Sequence, residues 1–89
     1  MPTVHLPSSL RRYVDQRASL AVPGDTVSAV LANLTDSAPG MRSHLFTADK
    51  LRSFVVVSKN GQDIRLLDGP QTPVAAGDEI RILSSIAGG

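Results

Sequence analysis

The chain has 89 residues, with nine Lys and Arg against eight Asp and Glu and a formal charge of +1. That length makes one domain with a small core, burying roughly 60–65% of its unfolded surface. The near-neutral balance, no basic run beyond Arg11-Arg12 and only Tyr13, Phe46 and Phe54 as aromatics argue against a nucleic-acid face, which needs concentrated cations and exposed rings.

The lack of cysteine excludes disulfides, thiolate metal sites and cysteine nucleophiles. No apolar stretch approaches the roughly 20 residues of a membrane span, so no membrane partner is expected. The N-terminus has no charged-then-apolar signal pattern, and a cytoplasmic location is the default expectation. The scattered cations Arg42, Lys50, Arg52, Lys59 and Arg65 read as ordinary solvated surface.

In chain order, Thr3-Val4-His5-Leu6 alternates polar and apolar as a half-buried strand does, and Pro7-Ser8-Ser9 ends it. A second strand is expected around Ser19 to Val22, with Leu10, Tyr13 and Val14 covering the loop between. Pro23-Gly24-Asp25-Thr26 opens a helix, because Asp25 or Thr26 offers an oxygen to the free amides of the first turn. Val27, Val30, Leu31 and Leu34 then form one apolar stripe, and Ser37-Ala38-Pro39-Gly40 stops it. Residues 41–53 are ambiguous; Met41, Leu45 and Phe46 suit one helical turn plugging the open edge of the core.

Val55-Val56-Val57 favours extended backbone through branching at Cβ. Asn60-Gly61 then predicts a hairpin, since both central positions of a type I′ turn need positive φ. Ile64, Leu66 and Leu67 are expected in a short return segment, and Asp68-Gly69-Pro70 in a further turn. Gly77-Asp78 precedes a last strand, Glu79 to Leu83, with Ile80 and Ile82 on one face. One helix covering one face of one sheet gives an α+β roll, a mixed sheet of four to five strands. The last strand is expected centrally, beside the first and parallel to it, which the helix-containing crossover allows.

After that strand come Ser84-Ser85-Ile86-Ala87 and Gly88-Gly89. Two glycines carry no Cβ, so an enzyme can close around bare backbone in a narrow channel. The final carboxylate is then an uncrowded chemical handle. The expected division is a body over residues 1–83 and a protruding tail over residues 84–89. His5 reads as a surface strand residue. His44 has no second ligand at metal spacing, so no metal site is expected. No Ser-His-Asp set or phosphate-cradling loop suggests an autonomous active site.

Four pieces together are similar to a known family: Gly24-Asp25-Thr26-Val27 before the helix, the valine strand with Asn60-Gly61, Gly77-Asp78-Glu79-Ile80, and Ile86-Ala87-Gly88-Gly89. In that order the chain resembles the ubiquitin-like (β-grasp) bacterial sulfur carriers. These include the cysteine-synthesis carrier, the molybdopterin-synthase small subunit and the thiamine carrier. Phe54-Val55-Val56-Val57 and Gln62-Asp63-Ile64-Arg65 look nearest the cysteine-synthesis type, whereas Ser84-Ser85 replaces a proline-containing pair.

The resemblance implies a carrier and co-substrate, not an enzyme. It binds no cofactor of its own. A ubiquitin-activating-type adenylating enzyme uses MgATP to activate the Gly89 carboxylate. A sulfur donor or sulfurtransferase converts it to a thiocarboxylate, and a biosynthetic synthase accepts the sulfur. Gly88 gives the tail its slim width, and Ile86 and Ala87 pack in the channel mouth. Strand alternation turns Phe54, Val56, Arg81 and Leu83 outward as a docking surface, unless residues 41–53 fold over them. A protein modifier conjugated through Gly89, and an interaction module with an inert tail, are the alternatives.

Overall fold

A computed structural model describes residues 1–48 and 50–84. Seven strands form: β1 (Thr3–His5), β2 (Ser19–Ala21), β3 (Phe46–Thr47), β4 (Lys50–Leu51), β5 (Val55–Lys59), β6 (Gln62–Asp63) and β7 (Glu79–Ser84). The helices are α1 (Val27–Ser37) and the single turn α2 (Arg42–Leu45). The main sheet has the order β2-β1-β7-β5-β6, and β3-β4 is a separate small hairpin. As expected, β7 is central. It runs parallel to β1, pairing Val4 with Ile80, and antiparallel to β5, pairing Val57 with Ile82. It continues to Ser84, opposite Val55, one residue beyond the strand expected from the sequence.

The core follows from period-two alternation meeting a period-3.6 stripe. Val4, Ile80, Ile82, Val55 and Val57 form the buried face of the sheet, and Val27, Val30, Leu31 and Leu34 of α1 lie among them. Each such side chain contributes about 1.5–3 kcal/mol on leaving water. The Thr26 hydroxyl accepts the Ala29 N–H at 3.1 Å, so the expected cap starts α1. Gly24 has φ 153°, and a Cβ there would lie 2.6 Å from the Val30 backbone nitrogen; the strand-to-helix entry is therefore closed to larger residues.

The ambiguous stretch resolves into a plug. Met41 and Leu45, both essentially fully buried, enter the core from one turn of helix, and Phe46 moves into the β3-β4 hairpin. Across the first connection a 3-10 turn over Ser8–Val14 buries Leu10. Among the described residues, no helix is long and apolar enough to cross a membrane.

One expectation is corrected. The return from Asn60-Gly61 pairs only through Gln62 and Asp63; Ile64–Leu66 is a 3-10 turn, and Leu66 is 81% exposed. The Asp63 carboxylate accepts the Arg65 backbone N–H at 2.9 Å and forks onto its guanidinium, with the shortest contact 2.6 Å. This local bonding outcompetes a longer ladder. The guanidinium holds the Asp63 carboxyl below its usual pKa.

The start of β7 is clasped to the hairpin. Asn60, at φ 51° beside Gly61 at 88°, donates from its amide to Asp78 at 2.9 Å and accepts from the Glu79 N–H at 2.9 Å. Asp78 also accepts the Ala75 N–H at 2.8 Å, with Lys59 at 3.6 Å. The Ala75 amide first, then Asn60, lowers the Asp78 pKa from its ordinary value. A depressed carboxylate stabilises the fold above its unfolded pKa and loses that contribution as pH falls through the folded value. Asp78→Asn should melt below the parent near neutral pH. The gap should narrow from about pH 5 downward through the ordinary carboxylate range, as read by thermal melts across pH.

Candidate functional site

Strand alternation sorts β7 into two faces. Ile80 and Ile82 are buried, whereas Glu79 and Arg81 are exposed and Leu83 is 46% exposed. The outward face is graded along the strand. At the start of β7, His5 Nε2 lies 2.8 Å from Glu79 Oε1, and Arg81 sits opposite Ser58 and beside His5. His5 is thus a surface partner of a carboxylate. Towards the end of β7 the face turns apolar, because Leu83 pairs with the half-buried Val56. The polar half faces water at little cost, while the Val56–Leu83 half does not.

The expected docking residues do not all stand equally free. Val56, Arg81 and Leu83 share the outer face. Phe54 precedes β5, is half-buried and packs against the core cluster. The Arg52 guanidinium lies over its ring at 5.7 Å. Residues 41–53 therefore reach Phe54, and Leu83 keeps the 46% exposure noted above. Beside β5, a groove of about 250 Å³ is lined by Leu51, Arg52, Val55, Val57, Ile64 and Pro70 among others. Arg52 Nε donates to the Ser43 carbonyl at 2.8 Å.

Sequence reading missed a pattern on this side of the molecule. Each aromatic ring carries an arginine: Arg12 over Tyr13 at 5.1 Å, Arg42 over Phe46 at 5.2 Å, and Arg52 over Phe54. The spacing of Arg42 and Phe46, four apart across a helical turn, was the available signal. Tyr13 also bonds His44 Nε2 at 2.7 Å, which gives His44 a structural partner. Among the described residues, no three His, Asp or Glu side chains gather to hold a metal. The expected tail residues Ile86, Ala87, Gly88 and Gly89 lie outside the described residues; Ser84, opposite Val55, is the last described residue.

Comparison with known proteins assigns this arrangement. The ThiS family matches residues 4–89. The chain belongs to the ThiS family. Members of this family are ubiquitin-like sulfur carriers, and the β-grasp fold expected above is theirs. The chain is 34% identical to the sulfur carrier protein CysO of Mycobacterium tuberculosis, over 98% of this chain and 97% of that protein. It superposes on a chain of the crystal structure of the Amycolatopsis orientalis BexX/CysO complex with a TM-score of 0.91 and 30% identity, each covered in full. Small archaeal modifier protein 1 from Methanosarcina acetivorans follows the same fold at a TM-score of 0.86 and 31% identity, with 98% of this chain and 94% of that one covered. The relatives' names describe carriers and modifiers.

The two faces of β7 make a sharp contrast testable by denaturant unfolding. Ile82→Ala should cost about 2–5 kcal/mol by opening a core cavity. Leu83→Ala, one residue on, should change stability by no more than about 0.5 kcal/mol.

Proposed function

We propose that this family member carries sulfur as a thiocarboxylate on Gly89. The observation that carries the reading is that the family match runs through residue 89 while β7 is held between β1 and β5 as far as Arg81 and against β5 as far as Ser84. A body that ends with β7 at Ser84 then presents residues 85–89 as the tail. The five residues after Ser84 span at most about 17 Å when extended, enough to enter a buried active site.

A carboxylate resists substitution because its leaving group would be oxide. In the proposed cycle an adenylating enzyme of ubiquitin-activating type holds MgATP. A Gly89 carboxylate oxygen attacks the α-phosphorus, and pyrophosphate leaves. Sulfide from a sulfur donor then attacks the acyl carbon, and AMP leaves with the bridging oxygen. From a sulfurtransferase persulfide the product is an acyl disulfide, which a thiol reductant cleaves to the thiocarboxylate, the thiol leaving as a disulfide with the sulfurtransferase sulfur. The resulting thiocarboxylate is anionic near neutral pH. Its sulfur attacks an activated carbon in a biosynthetic synthase, and hydrolysis of the acyl–sulfur bond returns the carboxylate. Gly88 keeps the tail narrow, Ile86 and Ala87 line the channel mouth, and Phe54, Val56, Arg81 and Leu83 dock the partner.

Cysteine is the favoured product, given the resemblance to the cysteine-synthesis carriers and 34% identity to CysO. Molybdopterin, thiamine and specialised metabolites are the other destinations, and the cytoplasm is the compartment. The BexX/CysO complex supports a carrier of this shape seated on a second protein. A second reading, conjugation of Gly89 to lysines of other proteins, draws support from the likeness to small archaeal modifier protein 1.

Intact mass spectrometry after incubation with an adenylating partner, ATP and a sulfur donor tests the proposal. The full chain should gain the mass difference of one sulfur replacing one oxygen. A chain lacking Gly89 should fold equally well and gain nothing. Conjugated ladders would instead favour the modifier, and thiocarboxylate on the truncated chain would overturn the role of Gly89.

A further inference from the structure

The arginine–aromatic pairs form a connected strip. Arg12 Nη2 donates to the Tyr13 hydroxyl at 3.1 Å, Tyr13 meets His44, and the neighbouring Ser43 carbonyl accepts from Arg52, which lies over Phe54. Arg42, over Phe46, and exposed Lys50 belong to the same segment. In the two stretches that build the strip, 8–17 and 40–54, six Arg and Lys residues stand against two acids, Asp15 and Asp49. Two cations outside the strip are matched internally, Lys59 with Asp78 at 3.6 Å and Arg65 with Asp63 at 2.6 Å. Among the described residues, Arg12 and Arg52 instead donate to neutral oxygens, which leaves their positive charge available to a partner.

Stacking occupies the flat face of a guanidinium and fixes its direction, while the N–H groups along its edge suit a carboxylate. The strip also continues into the apolar corner: Arg52 covers Phe54, which adjoins Val55 opposite Ser84, beside Val56–Leu83. Arginine and aromatic groups next to an apolar patch are the composition of a protein interface. A nucleic acid is less suited, because the rings that would stack on bases already carry guanidinium groups and the whole chain is only +1.

We propose that this strip, centred on Arg12, Lys50 and Arg52, docks an acidic protein surface. Resting on the carrier reading above, the acidic surface is the rim of the enzyme that receives the tail. The Val56–Leu83 corner supplies apolar contact, and the strip supplies encounter rate and orientation.

The test is a titration of the isotope-labelled full chain with a ten-residue poly-glutamate peptide at low salt, read by amide shifts. A ten-nucleotide poly-thymidine strand is run in parallel. Shifts should concentrate on Arg12, Tyr13 and residues 42–46 and 50–54, and weaken as salt rises. R12E/R52E should bind the peptide at least about tenfold more weakly, with R12Q/R52Q intermediate, as expected of a screened charge contact. Equal shifts at Lys59 and Arg65, or unaltered binding by folded R12Q/R52Q, would overturn the proposal. So would tighter binding of the thymidine strand by the same residues. The peptide titration needs no activated tail, so its failure leaves the mass test of Gly89 standing, and failure of the mass test leaves the acidic docking face standing.

Discussion

The placement of β7 between β1 and β5 is the constraint on which the rest of the molecule depends. Its backbone must satisfy a parallel ladder on one side and an antiparallel ladder on the other. Its inward side chains, Ile80 and Ile82, are at most 1% exposed, so no slip of register is available without turning both into water. With register fixed, the outward set is fixed as well: Glu79 and Arg81 at one end, Leu83 at the other. The Asn60–Asp78 clasp holds the entry to this strand, and Ser84 opposite Val55 marks its far end. The position of the β7 end at Ser84 therefore follows from core packing and strand pairing.

Much of this was legible because the signals are local. Asn60-Gly61 announces positive φ, Thr26 caps its own helix, and the alternation of residues 79–83 separates Ile82 from Leu83 without tertiary information. What escaped depends on contacts between segments or on competition within one. Leu66 looked like a strand residue, yet the Asp63 carboxylate captured the Arg65 amide and curled the chain. The β3-β4 hairpin has two residues per strand, too short for any period to register. The orientation of the residues expected to dock a partner was half legible: alternation turned Phe54 outward, but the ring packs against the core beneath Arg52. Cations read one by one as solvated surface became a strip only once Tyr13, His44 and Ser43 were brought together.

Aromatic scarcity gives that strip its character. A core built from Val, Leu and Ile leaves Tyr13, Phe46 and Phe54 at its periphery, each only half-buried. A half-buried ring has one face against aliphatic groups and one towards water, and a guanidinium covers the wet face while keeping its own hydration at the edge. The same contacts that finish the small core thus distribute positive charge over one side of the surface.

The double anchorage of β7 also has a mechanical meaning. A pull on the end of the chain travels along the strand, at right angles to the hydrogen bonds of both ladders, so those bonds share the load instead of opening one after another. An unfolding motor that seized the terminus would meet a clasp in shear.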